Sequence, residues 1–435
     1  MRFKYLIVFL VFLFLPITSW ADTHTATSCS LTDVTAAYNA ASAGDTVAIP
    51  AGTCTWTSTL NVTKSINLIG AGSSSTVISR SSTGKIINVS LSSDVPARIS
   101  GIGFTFPTNK PVGGYMIAII VNGTGLTQVR IDNNAFTKGY GVLWINGQVY
   151  GVADHNTFTN VNTNYWTGSG DTEWNRTTIQ AGTANAFFFE DNTIIVNNDS
   201  EEKSLDAVVY IQEGSSVVVR YNTFDASAFT TSTGTGLTIL NNHGNQSYYN
   251  GLGFRASPIF ECYNNNISTY LATNLFGIRG GSVLIHDNTI TSGAGGVIFS
   301  KLTEEEAWQS AFFSPLRTTW PAQDQVFNSF YWNNTLGGRP VYPYVETSSQ
   351  TFIQQDRDYF LHAPQSSGGY EYFTGSRKGG STTAPTQTDT GSMGFSSSGA
   401  NAYYPYTPYT YPHPLTLSSN PSDPTPAPPK NLRIQ

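Results

Sequence analysis

The chain has 435 residues, of which 22 are Lys or Arg and 28 are Asp or Glu, giving a net charge of −6. Only 11% of residues are charged, less than half of the ~25% of an ordinary globular domain, and the mildly acidic balance leaves no basic footprint for nucleic acid. Abundant Asn, Gly, Ser and Thr favour short strands and tight turns over long solvent-facing helices.

At the start of the chain, Arg2 and Lys4 precede an apolar run from Tyr5 to Ile17, and Ser19 and Ala21 place small residues at the −3 and −1 positions of a cleavage site. This pattern predicts a secretory signal peptide over residues 1–21, because the apolar run is well short of the roughly 20 residues that cross a bilayer. The mature chain then begins near Asp22 with 20 basic against 28 acidic residues, a net charge of −8. It is expected to be secreted, extracellular or periplasmic, with no membrane span once the signal is removed. In that oxidising compartment Cys29 and Cys54, which flank one short unit, are the default disulfide, and Cys262 is left as a buried thiol.

Residues 22–46 read as an N-terminal cap: Val34 to Ala41 is a short amphipathic helix that Gly44 and Asp45 end. Val47 and Ile49 then begin the first coil, and Leu68, Ile69 and Gly70 give the next strand and its turn. From here to Leu336 a phrase recurs, an apolar strand, then Asn, a small or polar residue, and an apolar residue. Its asparagines are Asn134, Asn156, Asn192, Asn222, Asn265, Asn288 and Asn334, with spacings of 22, 36, 30, 43, 23 and 46 residues. Two intervals are single units, 46 is twice 23, and 43 divides at Asn242. The intervals of 36 and 30 are units with added loops.

A unit of about 22 residues cannot bury an apolar face alone, but stacked units can. The reading for residues 47–336 is therefore an all-β, right-handed parallel β-helix of about a dozen coils, in which the seven asparagines stack in one column and satisfy turn backbone. Alternation within a unit points Val217, Val219 and Phe224 inward, as it does Val283, Ile285 and Ile290. Arg220, Tyr263 and His286, each two residues before its coil's Asn, should form one outward row.

The stretch from Asp33 to Thr53, followed by Leu60 to Gly72, closely resembles the opening of pectin-lyase-like β-helix proteins. The resemblance extends through the repeats to about Leu336. It implies the fold, with the helix over Val34 to Ala41 capping the open end of the core. For activity it implies a range: pectate, alginate and chondroitin lyases, polygalacturonases, tailspikes and non-catalytic surface proteins. Lyases of this kind use Arg or Lys as base, with Ca²⁺ or another basic residue neutralising the uronate carboxylate.

The densest polar cluster lies between Asn241 and His286 and contains His243, Arg255, Glu261, Arg279 and His286. Arg279 is nine residues before Asn288, Arg255 ten before Asn265 and Glu213 nine before Asn222, so stacking should bring them to one edge of neighbouring coils. Two arginines so placed in a charge-poor chain suggest an anionic-sugar site, unless Glu213 and Glu261 simply pair with them. The expected catalytic set is Arg255, Arg279, His243 and Glu261. His243-Gly244 is superficially similar to the Gly-His-Gly turn of polygalacturonases, but position 242 is Asn and no acid pair for an inverting hydrolase is evident.

A longer interval carries Tyr165, Trp166 and Trp174, candidate platforms for sugar rings together with Arg220 and His286. The cofactor is unknown; Asp171, Glu173 and Asp206 are acids that could hold calcium, without a diagnostic ligand spacing. After Leu336 the period is lost. Residues 337–417 are expected as an irregular extension packed on the helix, with the Pro/Tyr-rich stretch from Tyr403 to Leu415 lying along its outside, and 418–435 as a Pro-rich tail. The function expected is a polysaccharide lyase acting on an acidic extracellular glycan. The alternatives are a non-catalytic glycan-binding protein and, more weakly, a polygalacturonase-type hydrolase.

Overall fold

The computed structural model describes residues 21–109, 111–168, 181–197, 207–230, 237–243, 256–257, 259–270, 274–293, 296–304, 326–364 and 406–417. Strands dominate, in one sheet of 20 strands and another of 11. Among the described residues the helices are Leu31–Ala40, the single turn Thr347–Ser349 and Pro414–Leu417. No helix among them is long and apolar enough to cross a membrane.

The pairing resolves into three ladders of parallel strands. In the first, Thr46–Ile49 pairs with Asn67–Gly70, which pairs with Ala97–Ser100, and the series continues through Phe187–Glu190, Ser216–Arg220, Ile259–Tyr263 and Val283–His286 to Ser329–Trp332. The second runs from Leu60–Val62 through Thr163–Thr167, Ala207–Gln212 and Phe276–Ile278 to Tyr344–Val345. The third, from Gly52–Thr55 to Thr335–Leu336, is the separate sheet and closes on the antiparallel strand Arg339–Pro340. The first two count as one sheet because the long strands Met116–Asp132 and Leu143–Asp154 each contribute one half to either ladder. Each strand thus pairs with the equivalent strand of the next repeat, which is the pairing a parallel β-helix requires.

One buried apolar cluster fills the interior between the ladders and runs from Ala26 to Ile353. Val217, Val219, Phe224, Val283, Ile285 and Ile290 all belong to it, as alternation predicts. Phe104, Phe136 and Phe158 stack rung upon rung, with centroids 5.4 and 4.7 Å apart. Cys262 is buried in the same core, and burial raises its thiol pKa, so it behaves as a packing group.

The seven asparagines form one buried column. From Asn156 to Asn334, the side-chain oxygen of each accepts from the backbone and side-chain N–H groups of the asparagine one rung before it, at 2.9–3.2 Å. The residue before each of them, from Asn133 to Asn333, is left-handed, with φ between 53° and 56°. That conformation reverses the side-chain alternation at the corner, and its recurrence even at His155 and Tyr221 shows that the turn overrides local preference.

At the N-terminal end Ser30 caps the helix by accepting from Asp33 N at 3.2 Å, and Val34, Ala37 and Tyr38 are buried. Cys29 and Cys54 form a disulfide. A β-carbon at Gly52 would lie 2.7 Å from the Cys29 sulfur, so glycine is needed there for the bridge to close.

Candidate functional site

Among the described residues the second ladder carries a run of outward aromatic and amide side chains. Its outward positions in register are Ile120, Trp144, Tyr165, Tyr210, Asn241, Gly277, Lys301 and Tyr344. Because the strand period is two, these side chains fall on the face opposite the core residues Ile145, Trp166 and Ile211. Trp144 and Tyr165 lie 4.9 Å apart, Tyr165 and Tyr210 5.1 Å, and His243 stacks on Tyr210 at 4.9 Å. Tyr115 and Tyr140, stacked at 5.1 Å, widen the aromatic patch, and the Tyr165 hydroxyl donates to that of Tyr140.

Beside the aromatics runs a chain of amides. Asn88 donates to Asn61 at 3.0 Å, Asn122 to Asn88 at 3.2 Å and Asn146 to Asn122 at 3.0 Å. The Thr167 hydroxyl donates to Asn146, and the Trp144 indole N–H donates to Thr167. Gln212 continues this row in register with Thr167.

One rung further, past the pair Ile211 and Asn242, comes His243, and past Asn242 and Ile278 comes Arg279. The Arg279 guanidinium donates to His243 Nε2 at 2.9 Å. A guanidinium cannot accept, so this imidazole is neutral and carries its proton on Nδ1. Glu213, next to Gln212, accepts from it at 3.4 Å and sits in a left-handed turn with φ 60°. Burial pushes its carboxyl up to about 7, so near neutral pH it holds a proton part of the time.

The predicted cluster thus divides between two faces. His243 and Arg279 meet at the end of the aromatic strip, whereas Glu261 faces outward from the first ladder. There it is 1% exposed and accepts from Gly182 N at 2.8 Å and the Tyr406 hydroxyl at 2.7 Å. Burial raises its pKa. Arg220, Tyr263 and His286 lie in one row on that ladder, but they are covered and do not face solvent. Arg220 is enclosed in an ion pair with Glu190 and donates to the carbonyls of Tyr409 and Thr410. His286 is sandwiched between Tyr263 at 4.7 Å and Trp332 at 4.0 Å.

Of the three predicted aromatic platforms, Tyr165 lies in the outward row but is 6% exposed, packed among Tyr115, Trp144 and Tyr210. Trp166 points into the core against Phe187 and Phe189, because adjacent strand residues face opposite ways. Arg255, Trp174, Asp171, Glu173 and Asp206 lie outside the described residues. Among the described residues no group of three His, Cys, Asp or Glu side chains could hold a metal ion.

Sequence reasoning missed Tyr115, Tyr140, Trp144, Tyr210 and the outer amides. A signal for the amides existed in the repeated Asn-Gly at Asn122-Gly123 and Asn146-Gly147, each after a β-branched residue. Compared with known families, curated proteins and solved structures, the chain matches none.

Proposed function

We propose that this protein is an exported, right-handed parallel β-helix of the pectin-lyase-like kind, about a dozen coils long and capped by the helix Leu31–Ala40. It binds an extended acidic polysaccharide along the strip from Asn61 to Arg279 and cleaves it by β-elimination. The observation that carries the proposal is the His243–Arg279 pair standing at the end of a continuous aromatic and amide track.

A uronate carboxylate is a better partner for Arg279 than an imidazole, because a charged, bidentate acceptor replaces a neutral one. On binding it takes the guanidinium and frees the His243 Nε2 lone pair. Nε2 then accepts the proton from C5, the electrons of that bond form the C4–C5 double bond, and the C4–O bond breaks. The leaving oxygen takes a proton, which Glu213 can return because its carboxyl titrates near neutrality. Glu261, enclosed on the other ladder, has no part in this step.

Binding without cleavage is the second reading, and the strip itself favours it, since stacked aromatics beside amides need no catalytic group to hold a glycan. Incubation with pectate, alginate and chondroitin sulfate, followed by ultraviolet absorbance, separates the two. Elimination makes a conjugated double bond and absorbance rises, and His243→Ala and Arg279→Ala should each abolish the rise. Retention of wild-type turnover in both variants would remove the pair from the reaction. Binding with no absorbance on any polymer would leave a glycan-binding protein.

A further inference from the structure

Past Tyr210 the outward row of the second ladder changes character. Asn241, Gly277 and Lys301 follow in register, and Gly277 adds no side chain of its own to the row. Its backbone does not require glycine, because its φ lies outside the left-handed region that L side chains avoid. The consequence of glycine here is room for a neighbouring amide. A β-carbon at this position would lie 2.9 Å from Asn274 Nδ2 and 3.6 Å from Asn241 Oδ1, so two amides converge over the glycine.

The carbonyl oxygens of those amides are idle. Asn241 is 5% exposed, and the side-chain carbonyl oxygens of both Asn241 and Asn274 are enclosed without a hydrogen-bond partner. Buried polar groups are almost always paired, and two unpaired acceptors around one glycine are unusual enough to need a cause. The corner amides of the inner column, by contrast, are paired from rung to rung. Elsewhere on the strip Asn88, Asn122 and Asn146 are paired as well.

We infer that Gly277, Asn241 and Asn274 form a subsite for two neighbouring hydroxyls of a sugar ring. Carbonyl oxygens attract O–H donors and repel carboxylate and sulfate, while the amide N–H groups suit the hydroxyl oxygens. Arg279, two residues along the same chain and bonded to His243, is the group that takes the carboxylate in the proposed reaction. The site therefore reads a ring by both features, its carboxylate at Arg279 and its unsubstituted hydroxyls at Gly277. This inference rests on the strip being a glycan site and adds a specificity determinant to it.

The test is affinity electrophoresis of the full chain in gels cast with pectate or alginate, with melting temperature measured alongside. Gly277→Ala displaces the Asn274 amide, and Asn274→Ala removes an amide whose acceptor has no partner. Each should weaken retention at least tenfold while the melting temperature stays level or rises, since neither removes a hydrogen bond from that acceptor. Pectate acetylated on its ring hydroxyls should lose affinity for the wild type, with little further loss in Asn274→Ala. Wild-type binding matched by both variants would overturn the subsite alone. Absence of wild-type binding to either polymer would overturn the glycan reading of the strip and the subsite with it.

Discussion

Asparagine recurs at the inner corner because its amide both donates and accepts at a buried site where each rung must satisfy the next. Asn222 accepts from the backbone N and the Nδ2 of Asn192, and its own Nδ2 donates to Phe189 O, Arg220 O and Asn265 Oδ1. Leu would fill the space but strand both Asn192 donors, and Asp would lack the donating half. Asn222→Ala should therefore cost roughly 2–6 kcal/mol, from two stranded groups at about 1–3 kcal/mol each. Asn61→Ala, at an exposed end of the outer amide chain, should cost within about 0.5 kcal/mol. Denaturant midpoints for the two variants check this, and equal shifts would show that the inner column does not carry the fold. The buried ion pair behaves differently from either. Arg220→Met leaves Glu190 enclosed without its cation and should destabilise by about 3–5 kcal/mol, with Glu190→Gln recovering part of that loss.

The Pro- and Tyr-rich stretch from Tyr403 to Leu415 was expected along the outside because it cannot continue the repeat, and its neighbourhood is described over residues 406–417. What it covers was not legible. It lies on the outward row of the first ladder, with the Tyr406 hydroxyl on Glu261 and His286, and His413 N on Glu190 at 2.8 Å. These contacts join residues 120 to 223 positions apart, and no periodicity encodes such a pairing. The same cover explains why Arg220 and His286 looked like site residues: an outward position is exposed only while nothing lies over it. Docking also gives the segment a pH response. Burial raises the Glu261 pKa above its ordinary 4.5, so its contribution is complete below pH 4.5 and is lost as pH rises through the raised value. His286 and His413, both lowered by burial and the latter to about 4, act in the opposite sense: their contribution is present above 6.5 and is lost as pH falls. Comparison of wild type with Glu261→Gln cancels the histidines. The variant should melt higher at pH 7–8 and nearly level with wild type at pH 4.5, and a constant difference across that range would remove Glu261 as the cause.

At the scale of the molecule, period and corner asparagine were enough to reveal the stacking, because both follow from the requirement that every rung bury one face against its neighbours. Of the candidate site, the proximity of His243 and Arg279 was legible, yet the strip leading to them depends on which strand residues face outward after each corner, and a one-residue change of register exchanges Trp166 for Tyr165. Stacking also confines damage. Each rung touches mainly the rungs on either side, so a lesion at one end should loosen that end first. The Cys29–Cys54 disulfide closes a loop with a sequence separation of 25 residues, which chain entropy makes worth ~3–4 kcal/mol. It ties the segment before the helix Leu31–Ala40 to the first strand of the third ladder. Replacing both cysteines by Ser should raise amide exchange in the helix and in the first rungs, residues 46–70, by tenfold or more. Exchange in the paired strands Ile259–Tyr263 and Val283–His286 should change less than twofold. A uniform rise along the chain, measured by hydrogen–deuterium exchange and mass spectrometry, would mean that the rungs unfold as one cooperative unit and that local reasoning from one rung to the next does not hold for this protein.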